Sequence, residues 1–215
     1  PFSPNQPASI IKYSIPIYEA VSICFLRLSA LIWSKSASQE LYKIGILRFG
    51  KILVKYEGLN VGGSIKTRTA YNMILDAEKK GLLDKNSVIV EPTSGNQGIG
   101  LALIGAVRGY KTIIIMPDSV SEERRKLVKH YGAEVKLVHD SGDIGKCIQE
   151  CIDTAFYMQH IDPHVFIPMQ FENPANPAIQ RSQTAVEILN DVDGPIDGFC
   201  SGIGTGGTLT GIGEV

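Results

Sequence analysis

The chain has 215 residues, 44% hydrophobic and 20% charged, enough to bury an ordinary globular core as one large domain or two small ones. A formal net charge of −1 argues against a surface built to hold nucleic acid by its phosphates. Four cysteines, Cys24, Cys147, Cys151 and Cys200, are too few for a disulfide scaffold at this length and fit reduced thiols in the cytoplasm.

Residues 1–49 mix apolar and polar positions without a clear period, and no regular element is predicted there. Their most apolar stretch, "AVSICFLRLSALIW", is interrupted by Arg27 and is too short to span a bilayer. A signal peptide fits poorly because Glu19 lies before the apolar part. The sequence starts without methionine and stops just after a glycine-rich turn, so both ends are expected to be cut.

From Lys51 onward strands and helices alternate. "KILVKY" predicts a strand, and "SIKTRTAYNMILDAEKKG" a helix closed by Gly81. "SVIVEP" is a short β-branched run, hence a buried strand. "GIGLALIGAVRG" is a helix apolar nearly all round, expected to be buried on both sides. "KTIIIMP" predicts a strand, and "SVSEERRKLVKHYG" a helix with Ser119 and Glu122 as a capping box and a solvated basic face carrying Arg124, Arg125, Lys126 and Lys129. "AEVKLV" predicts a strand. "DIGKCIQECIDTAFYM" predicts an amphipathic helix whose stripe of Ile144, Cys147, Ile148, Cys151, Ile152 and Ala155 reads as core; no metal site is expected there. "VFIPMQF", "PAIQRSQTAVEILNDV" and "IDGFCSG" then predict strand, helix and strand. Apolar strands alternating with helices mean an α/β fold: a parallel sheet covered by helices on both faces, with ligands at the carboxyl ends of the strands.

Three loops follow strands and open helices: "NVGGSIKT", "PTSGNQG" and "SGIGTGGT". Each offers small residues, hydroxyls and backbone N–H donors at a helix start, which suits anions. In the last, Gly202, Gly204 and Gly207 match G-x-G-x-x-G, so a nicotinamide-dependent dehydrogenase is one reading. Thr205 and Thr208 add hydroxyls that suit a single phosphate equally well. The middle loop gathers Thr93, Ser94, Asn96 and Gln97 around Gly95 and Gly98 before the apolar helix, a good seat for a carboxylate. The first loop is no Walker A motif, because Ile65 precedes the lysine. Lys66 shares a helical face with Ala70, Met73, Ile74 and Ala77. It is either a snorkelling lysine or a desolvated amine able to attack a carbonyl carbon. A phosphate-bearing aldehyde cofactor would use all three loops.

"GGSIKTR", "EPTSGNQGIGLAL", "MPDSVSEERRKL", "QFENPANP" and "SGIGTGGTLTG" together resemble the cysteine synthase and cystathionine β-synthase family of fold-type II pyridoxal-phosphate enzymes, nearly unbroken from Ile52 to Gly213. The resemblance implies two domains of α/β architecture: 51–170 as the smaller, 171–215 as the start of the larger phosphate-binding domain, truncated here, with 1–50 an atypical part of the larger. It implies pyridoxal 5′-phosphate held by Lys66, Asn96, Gly204, Thr205, Gly206, Gly207 and Thr208. The substrate carboxylate would be held by Thr93, Ser94, Gly95 and Gln97, with Gln170 assisting. The implied reaction is β-replacement, in which Lys66 moves the Cα proton and O-acetylserine plus sulfide gives L-cysteine through an aminoacrylate. Cystathionine β-synthase or a sulfide-releasing cysteine lyase is the sister reading. A homodimer is expected, with a small amino acid and sulfide or a thiol as partners and neither nucleic acid nor membrane. Val61 stands where the family usually has proline, and Gln97 where the synthases commonly have threonine. The ring-nitrogen partner is expected beyond Val215, so the chain is not expected to catalyse alone; an inactive scaffold is the remaining reading.

Overall fold

The computed structural model describes residues 41–47 and 50–215, with side chains from Ile52 onward. Residues 1–40, including "AVSICFLRLSALIW" and Cys24, lie outside the described residues. The described chain falls into two compact units, one ending at Lys55 and the other Tyr56–Val215. In the first, β1 (Leu41–Leu47) and β2 (Gly50–Lys55) form an antiparallel hairpin with an irregularity between Lys43 and Gly45. "KILVKY" is thus a strand, but not a member of the parallel sheet, and β1 is a strand that sequence periodicity does not reveal. A two-residue connection can only turn a strand back on itself.

The second unit opens with a short 3₁₀ turn, Glu57–Leu59, and continues with α1 (Lys66–Lys79), β3 (Val88–Pro92), α2 (Asn96–Arg108), β4 (Lys111–Pro117), α3 (Glu122–His130), β5 (Glu134–Val138), α4 (Ile144–Ile161) and β6 (Val165–Phe166). The strands form one parallel sheet in the order β5-β4-β3-β6. Alternation along the strands sorts the core into two layers. Ile89, Ile114 and Met116 pack with Ala70, Ile74, Ile99, Leu101 and Val128 of α1, α2 and α3. Val90, Ile113 and Ile115 face the other way, onto Cys151 and Ala155 of α4. Helices therefore cover both faces, as the apolar strands require.

Five local expectations change. Ser119 donates to Asp140 Oδ2 at 2.6 Å instead of capping α3, whose N-cap is Ser121. The α4 stripe is narrower than its periodicity suggests: Cys147, Cys151 and Ala155 are buried, whereas Ile144 and Ile148 are exposed. "VFIPMQF" is a strand only at Val165 and Phe166, after which the chain turns through Met169 at φ 55°. "IDGFCSG" has no strand partner among the described residues and forms no regular element, since a strand exists only through its neighbour's hydrogen bonds. The predicted helix over 177–192 is α5 (Ala175–Ile179), a π turn (Gln180–Thr184) and α6 (Ala185–Asp191); α7 (Gly207–Gly213) follows the last glycine loop. No described helix is long and apolar enough to cross a membrane.

Candidate active site

Lys66 is the first residue of α1, and Ala70, Met73, Ile74 and Ala77 on its face are all buried. One stem of that face is set by close helix packing. A Cβ on Gly100 of α2 would fall 2.8 Å from the Lys66 carbonyl oxygen, so only glycine lets the two helices approach there. The amine is half-buried, and Nζ lies 3.4 Å from Thr205 Oγ1, bringing together residues 139 apart in sequence. Burial lowers the Lys66 pKa; the charge of Glu91 opposes this. The tip of the side chain thus meets a loop hydroxyl, as the reading of a partly desolvated amine expects.

Glu91 ends the apolar run of β3 and is 1% exposed. Its carboxylate accepts from the Met169 N–H at 3.0 Å and the Gln170 N–H at 3.2 Å, clamping the left-handed turn after β6. Burial pushes Glu91 up to about 7 against those two hydrogen bonds and the nearby Lys66 charge. Sequence reasoning passed over this residue, although a carboxylate inside an apolar strand is a signal in itself.

The clamp presents Gln170, buried, with Nε2 donating to Thr93 Oγ1 at 3.3 Å. Thr93 also accepts from the Gly95 N–H at 3.2 Å, tightening the loop before α2. Thr93, Gln170, Thr205 and Lys66 are thereby brought into one connected group, through Asn176. Asn176 was visible only as part of "QFENPANP". The other predicted residues are less tied. Asn96 is exposed at the start of α2, Ser94 and Gly95 are partly exposed, and Gly204 is exposed while Gly206 and Thr208 are partly so. Gln97 is 1% exposed, with Nε2 3.8 Å from Met73 Sδ and Oε1 without a partner. Arg124 of the basic face donates to the Ser94 carbonyl at 3.1 Å, so this arginine serves the loop rather than solvent alone.

Residues 39–215 match the family described as pyridoxal-phosphate dependent enzyme. The chain belongs to this pyridoxal-phosphate family. Among relatives within it, a cysteine synthase of a Flavobacterium species is 51% identical over 162 residues, 75% of this chain and 52% of that protein. A probable cysteine synthase of Bacillus subtilis is 46% identical, over 76% of this chain and 52% of that protein. The chain thus spans about half the length of the curated relatives it matches. Among solved structures, a hydrogen sulfide-producing enzyme from Fusobacterium nucleatum superposes with TM-score 0.75 at 42% identity, covering 83% of this chain and 59% of that one. Within that family the chain has the fold-type II architecture and is similar to cysteine synthases. Its glycine run accordingly belongs to this family and not to a dinucleotide-binding domain.

The residues fit the family's cofactor. An amine disfavoured as ammonium by burial suits an aldehyde. It sits beside a glycine and threonine loop whose hydroxyl faces it, which suits a phosphate.

Proposed function

We propose that the protein forms L-cysteine from O-acetylserine and sulfide by β-replacement. The observation that carries this reading is the approach of the Lys66 amine to Thr205, which unites an anchoring amine with a phosphate-type loop. When bound, pyridoxal phosphate supplies an electron sink for the carbanion formed at the substrate's Cα. Lys66 would anchor it, and its amine would hold and return the Cα proton; burial disfavours the ammonium form, which suits that work. Asn96, Gly204, Thr205, Gly206, Gly207 and Thr208 orient the cofactor. Thr93, Ser94, Gly95, Gln97 and Gln170 receive the substrate carboxylate, and the Gln170–Thr93 hydrogen bond supports this division of labour. In the same reading, 51–170 is the smaller domain and 171–215 opens the larger. The protein works as a cytoplasmic homodimer on small amino acids and sulfide or thiols, away from nucleic acid and membranes. The free thiols of Cys147, Cys151 and Cys200 suit that compartment.

A second reading, release of sulfide from cysteine, is favoured by the likeness to the Fusobacterium nucleatum enzyme and by Gln97 standing in the carboxylate loop. The test takes the natural protein that carries this chain, loads it with pyridoxal phosphate, and compares O-acetylserine plus sulfide with cysteine plus a second thiol. Cysteine formation from the first pair is expected. Turnover of the second pair alone would replace the synthase reading. Borohydride is expected to fix the cofactor onto Lys66, and no label is expected in Lys66→Ala.

A further inference from the structure

Asn176 in α5 is 2% exposed and engages the site with every polar group of its side chain. Nδ2 donates to the Gln170 carbonyl at 2.9 Å and to Thr205 Oγ1 at 2.8 Å. Oδ1 accepts from Thr69 Oγ1 at 3.3 Å. The first residue of α7 lies flat on this amide: a Cβ on Gly207 would fall 2.3 Å from Oδ1.

The polarity of these bonds follows from chemistry. A backbone carbonyl only accepts, so the Asn176 atom facing Gln170 must be the amide nitrogen, and that nitrogen also faces Thr205. The Gly207 N–H points at the same Thr205 oxygen from 3.4 Å. Lys66 Nζ also donates to this oxygen, from 3.4 Å, so three donors surround its lone pairs and the Thr205 hydroxyl is left with its proton to give. Behind Asn176 the order continues. Thr184 donates to Gln180 Oε1 at 2.7 Å, and Gln180 Nε2 donates to Thr69 Oγ1 at 3.3 Å, which leaves the Thr69 proton for Asn176 Oδ1. Thr69, Gln180 and Thr184 are each 1% exposed or less, so water cannot substitute for any link. The π turn Gln180–Thr184 holds the two ends of the last link.

We infer that Asn176 is a positioning residue that sets the Thr205 hydroxyl as a donor toward the cofactor phosphate and ties that grip to Gln170, which bonds Thr93 of the substrate loop. This rests on reading the 202–208 loop as the phosphate cradle.

The experiment strips the cofactor from the natural protein and titrates it with pyridoxal phosphate and with pyridoxal, which has the same ring and aldehyde but no phosphate. Asn176→Asp keeps the shape and replaces the donor by an acceptor, drawing the Thr205 proton to itself. Affinity for pyridoxal phosphate is expected to fall about tenfold or more, with pyridoxal affinity unchanged. Thr205→Val is expected to weaken pyridoxal phosphate similarly, and the double variant to be no weaker than Thr205→Val alone. Equal weakening for both compounds, unchanged affinity for pyridoxal phosphate, or additive losses overturn the inference. Should Asn176→Asp not fold, the neutral Asn176→Ala is read by the same three outcomes. Wild-type protein that takes up neither compound sinks the cofactor reading and this inference together; wild-type binding with an indifferent Asn176 variant sinks only the inference.

Discussion

Half-buried Lys66 and buried Glu91 are both shifted toward their neutral forms at the site, each mainly through loss of solvent. Lys66 is pulled down and Glu91 up to about 7, while each supplies part of the charge that restrains the other. For Glu91 the linkage has a definite sign. The folded state holds its proton more tightly than the unfolded chain, whose value is near 4.5. Its favourable contribution is therefore complete below about 4.5 and is lost as pH rises to about 7. At about 1.4 kcal/mol per pKa unit, the rise from 4.5 to about 7 corresponds to on the order of 3 kcal/mol. Glu91→Gln should lack this slope. Denaturant unfolding at pH 5 and pH 8 should show the wild type losing stability relative to the variant across that window. Parallel pH curves would mean the carboxylate is already ionised at pH 5.

At the level of elements, the approach of α1 to α2 decides where Lys66 sits. Gly100→Ala would push a methyl against the Lys66 carbonyl and Ala70 Cβ, 2.8 and 3.1 Å away. Such overpacking is expected to cost about 1–3 kcal/mol. It should also weaken borohydride trapping of the cofactor, a readout that a distant cavity mutation would leave intact. A second brace is electrostatic. Arg68, 5% exposed, holds Glu57 at 2.7 Å and Glu187 at 2.7 Å, joining the 3₁₀ turn, α1 and α6. Only the arginine of this set is buried, and its removal deprives two partly exposed carboxylates of the cation they share, so Arg68→Ala should lower the urea midpoint. Arg68→Lys should recover only part of the loss, because a single ammonium cannot replace a planar fork shared by two carboxylates. The central elements were legible because their patterns are local: β4 occupies the predicted Lys111–Pro117, and α2 ends at Gly109 with φ 80°. Sequence reading failed where an element depends on a partner. It missed β1, overextended β6, and expected a cap from Ser119, which instead serves Asp140.

Over the whole molecule, the site is assembled from the start of α1, the ends of β3 and β6, and the loop before α7. A cofactor joining Lys66 to the 202–208 loop would link segments distant in sequence, and binding to the folded state alone stabilises it. At a hundredfold excess over its dissociation constant that amounts to about 2.7 kcal/mol. Thermal unfolding of the natural protein should therefore shift upward with pyridoxal phosphate, and less so in Lys66→Ala. No shift at saturating cofactor would contradict the proposed anchoring.

By itself the sequence determined the α/β alternation, the glycine closures and the inward face of Lys66, since helical and strand periods and φ preferences act over a few residues. Motif order also pointed to the family. Only the tertiary structure decided that Lys66 meets Thr205, that Glu91 clamps Gln170, and that Asn176 stands between them. Those contacts join residues 139, 79 and 29 apart, and a side chain's hydrogen-bond partner at such separations is set by packing, which no local pattern encodes.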